Sequence, residues 1–331
     1  VSAAEGLWYN GFPFRSFEQG PDGSYEAAFI PPEIQAHLPA PEAEHPRVTL
    51  QSVPEPSVTH PASDFFLDDA CTLLAYVQNE RPRTTSAREW ADRHKKRLRQ
   101  RLRDRDPERF RFLIHLGHSV GWITDQEAGR LRLEPEAVTT WLQANTFHQR
   151  RIIAEVWHDD PLWNDLFHIP SLQPEDTGAW HNDPVIARDA ILRHLTLCAP
   201  GRWYSLDEFI AAVKEVDPDF QRPRGDYEAW YIRDSETGAY LSGFENWDAV
   251  EGRLIRHLIT RPMAWLGLVD LGADRPDQPA TAFRITQSGA AILDLAEPPS
   301  PSERATPRLR PGFLVSVPPG RRYERFQLSR V

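Results

Sequence analysis

The chain has little cysteine, no long apolar run and no catalytic signature. Its two cysteines, Cys71 and Cys198, lie far apart in apolar stretches. That is too few for a disulfide framework, and both read as free, buried thiols. No apolar run approaches the ~20 residues that a membrane-spanning helix needs. The first residues lack the charged, apolar and small-residue succession of a signal peptide. A cytoplasmic location is the resulting expectation. No G-x-x-x-x-G-K-[ST] run is present to cradle nucleotide phosphates, and no G-x-S-x-G elbow to present a serine nucleophile. His158-Asp159-Asp160, His168 and His181 are metal-ligand types, but their spacing matches no helical i, i+4 pair or known motif. They read as surface or capping residues. The expectation is a non-enzyme with no cofactor and no metal.

What is present is core-forming. The 331 residues are too many for one ordinary core and suggest two or three domains. Hydrophobic residues make up 40%, and the 11 Trp are a heavy load for this length. A net charge of −10 argues against a surface coated for nucleic acid, yet the average conceals an asymmetry. Residues 1–62 carry two basic and eight acidic side chains, whereas residues 81–112 carry thirteen basic and five acidic ones. A local basic element on an acidic body is a more specific signal than a uniform tint.

Two segments are Pro-rich and read as linkers, Pro39–Pro61 and Glu297–Pro311. Around them a pattern recurs. Gly121-Trp122-Ile123 is followed by Leu131-Arg132-Leu133 and an apolar run to Leu142. Gly267-Leu268-Val269 is followed by Phe283-Arg284-Ile285 and a run to Leu293. Gly6-Leu7-Trp8 is followed by Ala28-Phe29-Ile30 and a run to Leu38. Each reads as a strand, a turn, a returning strand and a short helix, and Gly20-Pro21-Asp22-Gly23 is hairpin chemistry. The two later copies also share what precedes the hairpin. Asp64–Gln78 and Asp183–Cys198 read as buried helices. Capping boxes Ser86-Ala87-Arg88-Glu89 and Ser205-Leu206-Asp207-Glu208 open second helices. Third helices begin near Asp106-Pro107 and Asn246-Trp247.

Three helices closed by a hairpin is the winged-helix order. The expected fold is therefore mainly α with small β-hairpins (α+β), in tandem winged-helix-like units. The expected divisions are 1–38, a partial unit; 39–62, a linker; 63–145, a winged-helix-like domain; and 146–182, a connector. A second such domain follows at 183–295, with an aromatic hairpin insertion at 218–247. Residues 296–331 read as a linker and the truncated start of a further element. The first copy has no helices before its hairpin, so the chain reads as a piece of a longer protein.

The stretches Pro161–Leu166, Gly201–Phe209 and Tyr323–Leu328 resemble bacterial winged-helix proteins labelled helicase-associated, which are similar to the non-motor N-terminal region of XPB-type helicases. The resemblance implies a nucleic-acid-linked role, accessory to a helicase-like or DNA-repair or transcription partner. It carries no functional residues onto this chain.

Two regions hold candidate binding residues. On a helix read as Ser86–Asp104, Trp90, Ala91, Leu98 and Leu102 share the core flank, while Lys95, Lys96, Arg99 and Arg103 gather opposite. That row suits a phosphate backbone; it is equally a solvated helix face. The third helices, rich in Phe110, Phe112, Leu113, Ile114 and Leu116 or mixed in charge, lack the Arg/Asn/Gln set that reads base edges. Any nucleic-acid contact is thus expected to be weak and nonspecific. In the insertion, Tyr227, Trp230, Tyr231, Tyr240 and Phe244 interleave with arginines. They suit a partner protein or base stacking, or else cover the insertion's own small core. The second functional reading is a protein-interaction scaffold with no nucleic-acid contact.

Overall fold

The computed structural model describes residues 14–20, 23–29, 50–85, 89–126, 129–175, 177–178, 180–222, 225–300, 305–312 and 314–330. The chain divides into two units, residues 1–47 and 48–331. In the first, β1 (Phe14–Gly20) and β2 (Gly23–Phe29) pair antiparallel, with Gly20 opposite Gly23. The turn glycines therefore act as read, but the first strand lies later than Gly6–Trp8. That segment and the short helix expected at 33–38 fall outside the described residues.

The second unit is mainly helical with small antiparallel sheets. Its centre is α1 (Phe65–Glu80), buried along Phe66, Ala70, Leu73, Leu74 and Val77 and ended by Arg81 in the left-handed region at φ 44°. It packs against α3 (Pro107–Ser119). Asp106 starts α3 by accepting the Glu108 and Arg109 amides at 2.8 Å, with Pro107 at the first helical position. The hairpin β4 (Ile123–Gln126) and β5 (Arg130–Leu133) follows, then α4 (Pro135–Gln143). Residues Thr146–Asp159 form α5.

The order recurs. α6 (Pro184–Leu195) is capped by Asp183, and α7 (Leu206–Val216) by Ser205, whose hydroxyl accepts the Glu208 amide. α8 (Arg253–Leu258) is extended at both ends by π-helical turns, 248–252 and 259–263. β9 (Val269–Ala273) and β10 (Ala282–Ile285) then pair antiparallel, before α9 (Gln287–Ile292). β7 (Trp203–Ser205) joins the outer side of β10. In the earlier copy, Arg83 bridges Arg130 at the equivalent place.

Three expectations need correction. First, the segment read as a linker up to residue 62 supplies β3 (Val58–His60), which completes the sheet order β3-β9-β10-β7. The open edge of β9 needs backbone partners, and Gly272 leaves room beside β9 for the Pro56 ring that a Cβ would occupy. Second, residues of the connector form β6 (Leu172–Pro174), which pairs with β8 (Ile232–Asp234) of the insertion. The insertion's own hairpin closes by the Arg233–Tyr240 bridge. Third, the stretch read as a linker to Pro311 supplies β11 (Arg308–Arg310), which pairs with β12 (Leu314–Ser316); α10 (Arg322–Leu328) follows and packs back on α1. Buried Arg322 reaches Asp68 at 3.0 Å and Gln149 at 2.9 Å.

One continuous apolar core runs from Phe66 to Phe326. Phe112 of α3 meets both Trp163, at 5.1 Å, and Trp265, at 5.6 Å, so residues on either side of the 146–182 segment share it. Cys71 and Cys198 are free and buried. Among the described residues no helix is long and apolar enough to cross a membrane.

Candidate functional site

The basic helix, α2, spans Asp92–Arg101, starting six residues later than read. Its start is set by distant partners. The Ala91 amide donates to the Arg83 carbonyl at 3.2 Å and Trp90 bridges Thr84, so residues 89–91 are extended. The box residues 86–88 lie outside the described residues. The buried flank of the helix is Trp90, His94, Leu98 and Leu102. His94 was not expected there; its Nδ1 is 2.9 Å from the Tyr76 hydroxyl.

This geometry splits the predicted row of four cations. Beyond Leu102 the chain leaves the helix because the Arg103 amide donates to Asp69 Oδ1 at 2.8 Å. The Arg103 guanidinium then pairs with Asp68 at 3.1 Å and covers the Phe65 ring. It stands on the far side, away from the other three. Lys95 is engaged by Glu89 at 3.3 Å and Asp92 at 3.7 Å. Lys96 and Arg99 are exposed.

Lys95, Lys96 and Arg99 form one wall of a groove of about 750 Å³ between α2 and α3. The other wall is Arg111, Ile114, His115 and His118, and Trp90 and Phe110 line it between them. Among the described residues Lys96, Arg99 and Arg111 have no ion-pair partner. The wall on α3 escaped sequence reading because its residues are scattered through an apolar run. The signal was there: Arg111, His115 and His118 recur at i, i+4 and i+7, one helical stripe.

The histidines are fixed. His118 Nε2 accepts from the Trp90 indole at 3.3 Å, and burial lowers the His118 pKa. The ring is therefore neutral and lends no charge to the groove. His115 Nε2 and the Ser119 hydroxyl both meet Asp160 Oδ2 at 2.6 Å. Burial alone would raise Asp160, but the bonds from Ser119, the Leu162 amide and His115 outweigh it and lower its pKa. Serine and aspartate share one ring nitrogen, so this trio is not ordered as nucleophile, base and orienter. Its effect is to anchor the 160–163 loop to α3. His158 is likewise held between Asp159 and Asp189, each at 2.6 Å.

The equivalent groove of the second helix set, between α7 and α8, has a volume of about 480 Å³ and comparable residue types. Its charges are spent internally. Lys214 pairs with Asp248 at 2.6 Å, Arg253 with Asp234 at 3.1 Å, and Arg256 with Asp207.

The aromatic insertion divides. Trp230 is buried beneath the Arg222 guanidinium, 4.1 Å from its ring centre, and Arg222 pairs with buried Glu251 at 2.6 Å. Tyr227 is half-buried; its hydroxyl donates toward Asp219, and burial and that carboxylate push its pKa up. These two cover the insertion's own core. Tyr231, Tyr240 and Phe244 stay exposed, with Arg233 stacked over Tyr240 at 4.0 Å. Comparison with protein-family models, with curated proteins and with solved structures finds no match.

Proposed function

We propose that this chain is a noncatalytic module of tandem winged-helix-like units whose earlier unit binds nucleic acid weakly and without sequence preference, through the groove between α2 and α3. In this reading α1, α2, α3 and the β4–β5 hairpin are one unit, and α6, α7, α8 and the β9–β10 hairpin are the other. The module serves a helicase-like or DNA-repair or transcription partner, as the sequence resemblance implies.

One observation carries the proposal. Two grooves occupy the same place in the repeated order, and they differ in whether their cations are paired. Lys214, Arg253 and Arg256 each face a carboxylate within the fold. Lys96, Arg99 and Arg111 are left over, gathered on a concave surface of a chain whose net charge is −10. Unpaired cations converging on a cleft attract phosphate, and neutralised phosphates release counterions. Glu89 and Asp92 at one end of the groove keep the affinity modest. The groove offers no Asn or Gln for base edges, which fits contact with backbone alone.

Fluorescence anisotropy of labelled DNA across a salt series tests this. Three phosphate contacts give a log–log slope of roughly −3. Changing Lys96, Arg99 and Arg111 together to Gln flattens the slope nearly to zero, whereas changing Lys214, Arg253 and Arg256 leaves it unaltered. Absence of binding by the unaltered protein at low salt would refute the proposal and favour the scaffold reading, with Tyr231, Tyr240 and Phe244 as its exposed aromatics.

A further inference from the structure

Beside the basic groove lies a second concavity of different chemistry. It has a volume of about 350 Å³ and is lined by Leu162, Phe167, Trp180 and His168, with Asn164 and Asn182. Single exposed apolar side chains are ordinary. Here they are contiguous: Leu162 is 82% exposed and Phe167 44% exposed, in one pocket with half-buried Trp180. The rings are layered. Phe167 and Trp180 lie within 16° of parallel with centroids 6.4 Å apart, and Trp180 continues to Trp230 at 5.2 Å and 25°. Arg222 caps the far end of this ladder over Trp230. At the near end, Phe167 is among the exposed large side chains.

The remaining walls suit a neutral, planar, polar-edged ring. His168 lies flat on Trp163, 3.6 Å between centroids and 5° from parallel. Burial, reinforced by Arg111 and His115, lowers its pKa to about 4, so it adds no charge at neutral pH. Asn164 and Asn182 hold each other amide to amide, at 2.8 and 3.2 Å. Each amide nitrogen has a second hydrogen beyond this pair.

The pocket adjoins the groove. His115 of the groove wall packs on Trp163 at 5.1 Å and bonds Asp160, whose other oxygen accepts the Leu162 amide at 2.8 Å. One loop, 160–163, thus separates the cationic surface from the aromatic one. We infer that the Leu162–Phe167–Trp180 pocket is a stacking site for an unpaired nucleobase, and that the groove and pocket together hold single-stranded nucleic acid, phosphates on Lys96, Arg99 and Arg111 and a base on Phe167. This rests on the groove being a phosphate site. A cationic track beside an aromatic platform is how strands are held without sequence preference. A paired base in a duplex has no free face to offer.

The test uses the full chain and three probes: a short single-stranded oligodeoxynucleotide, its fully abasic counterpart of equal phosphate number, and a duplex of the same sequence, which carries that number on each strand. The expected order of affinity is single strand first, with the abasic strand and the duplex weaker by about tenfold, the scale of one base–aromatic stack. Phe167→Ala removes that tenfold preference without changing abasic binding, and Phe167→Trp restores it. Equal affinity for the based and abasic strands overturns the stacking site while leaving the groove reading intact. Failure of all three probes to bind at low salt overturns both. Displacement by a neutral tryptophan-containing peptide, with base content making no difference, would assign the pocket to a protein side chain and also overturn the inference.

Discussion

Arg188 holds the loop on which both candidate sites depend, and its replacement by Met is the most informative stability test. The guanidinium is fully buried. Its Nε donates to Asp165 Oδ2 at 2.7 Å, and Nη1 donates to the Trp157 carbonyl at 2.6 Å and the Asp160 carbonyl at 2.7 Å. Nη2 donates to the Trp163 carbonyl. One side chain therefore satisfies three buried carbonyls and a buried carboxylate across residues 157–165. Arg188→Met fills most of the same volume but strands Asp165, which is 2% exposed. Breaking a buried pair by removing one partner costs ~3–5 kcal/mol. For a chain of this size that lowers Tm by roughly 4–7 °C. The residual carboxyl also gives a pH signature. Burial already pushes Asp165 up and Arg188 opposes this, so without Arg188 the shift grows. A folded acid with a raised pKa favours the folded state below its unfolded pKa, and that advantage is lost as pH rises. The variant therefore loses less stability, relative to the unaltered protein, in mild acid than at neutral pH, and Asp165→Asn added to it recovers part of the loss. Urea denaturation at two pH values measures all of this. A loss under ~1 kcal/mol, independent of pH, would contradict this role for Arg188.

Three further outcomes are expected. Arg322→Ala removes the buried partner that Asp68 and Gln149 share beneath α10, leaving Asp68 with Arg103; it costs ~1–3 kcal/mol, and limited proteolysis then cuts within 305–330 before elsewhere; unchanged protease resistance would contradict the docking. His168 and His257 are held neutral by burial, with pKa values of about 4 and about 3. Unfolded imidazoles take up protons below about pH 6.5 that the folded ones refuse, so stability falls as pH drops from there toward 4, by up to ~1.4 kcal/mol per pH unit for each. His257→Leu removes about half of that slope in urea midpoints, and an unchanged slope would contradict the assignment. In α9, a Cβ at Gly289 would overlap the Leu268 carbonyl, so Gly289→Ala costs ~1–3 kcal/mol in the same assay; a neutral result would contradict this close packing.

What the sequence revealed was what neighbouring residues decide. Asp106-Pro107 and Asp183-Pro184 begin helices as written, because an N-cap acts over three residues. The hairpins at 123–133 and 269–285 follow from the short apolar strands and intervening turns. The losses come from distant partners. β3 exists because β9 offers an open edge more than two hundred residues on. α10 docks because Arg322 finds Asp68 across the chain. The ends of α2 are fixed by Arg83 and Asp69, and the shift removed Arg103 from the predicted cationic row. Lys95, Lys96 and Arg99 were legible as a cluster; Arg111 was not, since an apolar helix conceals a polar stripe only three residues long. Among the insertion aromatics, composition could not separate Trp230, which is buried, from Tyr231, Tyr240 and Phe244, which are exposed.

Amide hydrogen exchange with and without a saturating single-stranded oligonucleotide at low salt tests the groove and its neighbouring pocket without altering a residue. Added protection is expected across 92–118, on both walls of the groove, and across 160–168. None is expected at 206–216 or 253–258, where the matching groove has its charges paired. Protection concentrated in those later helices, or in 227–244 alone, would contradict this placement.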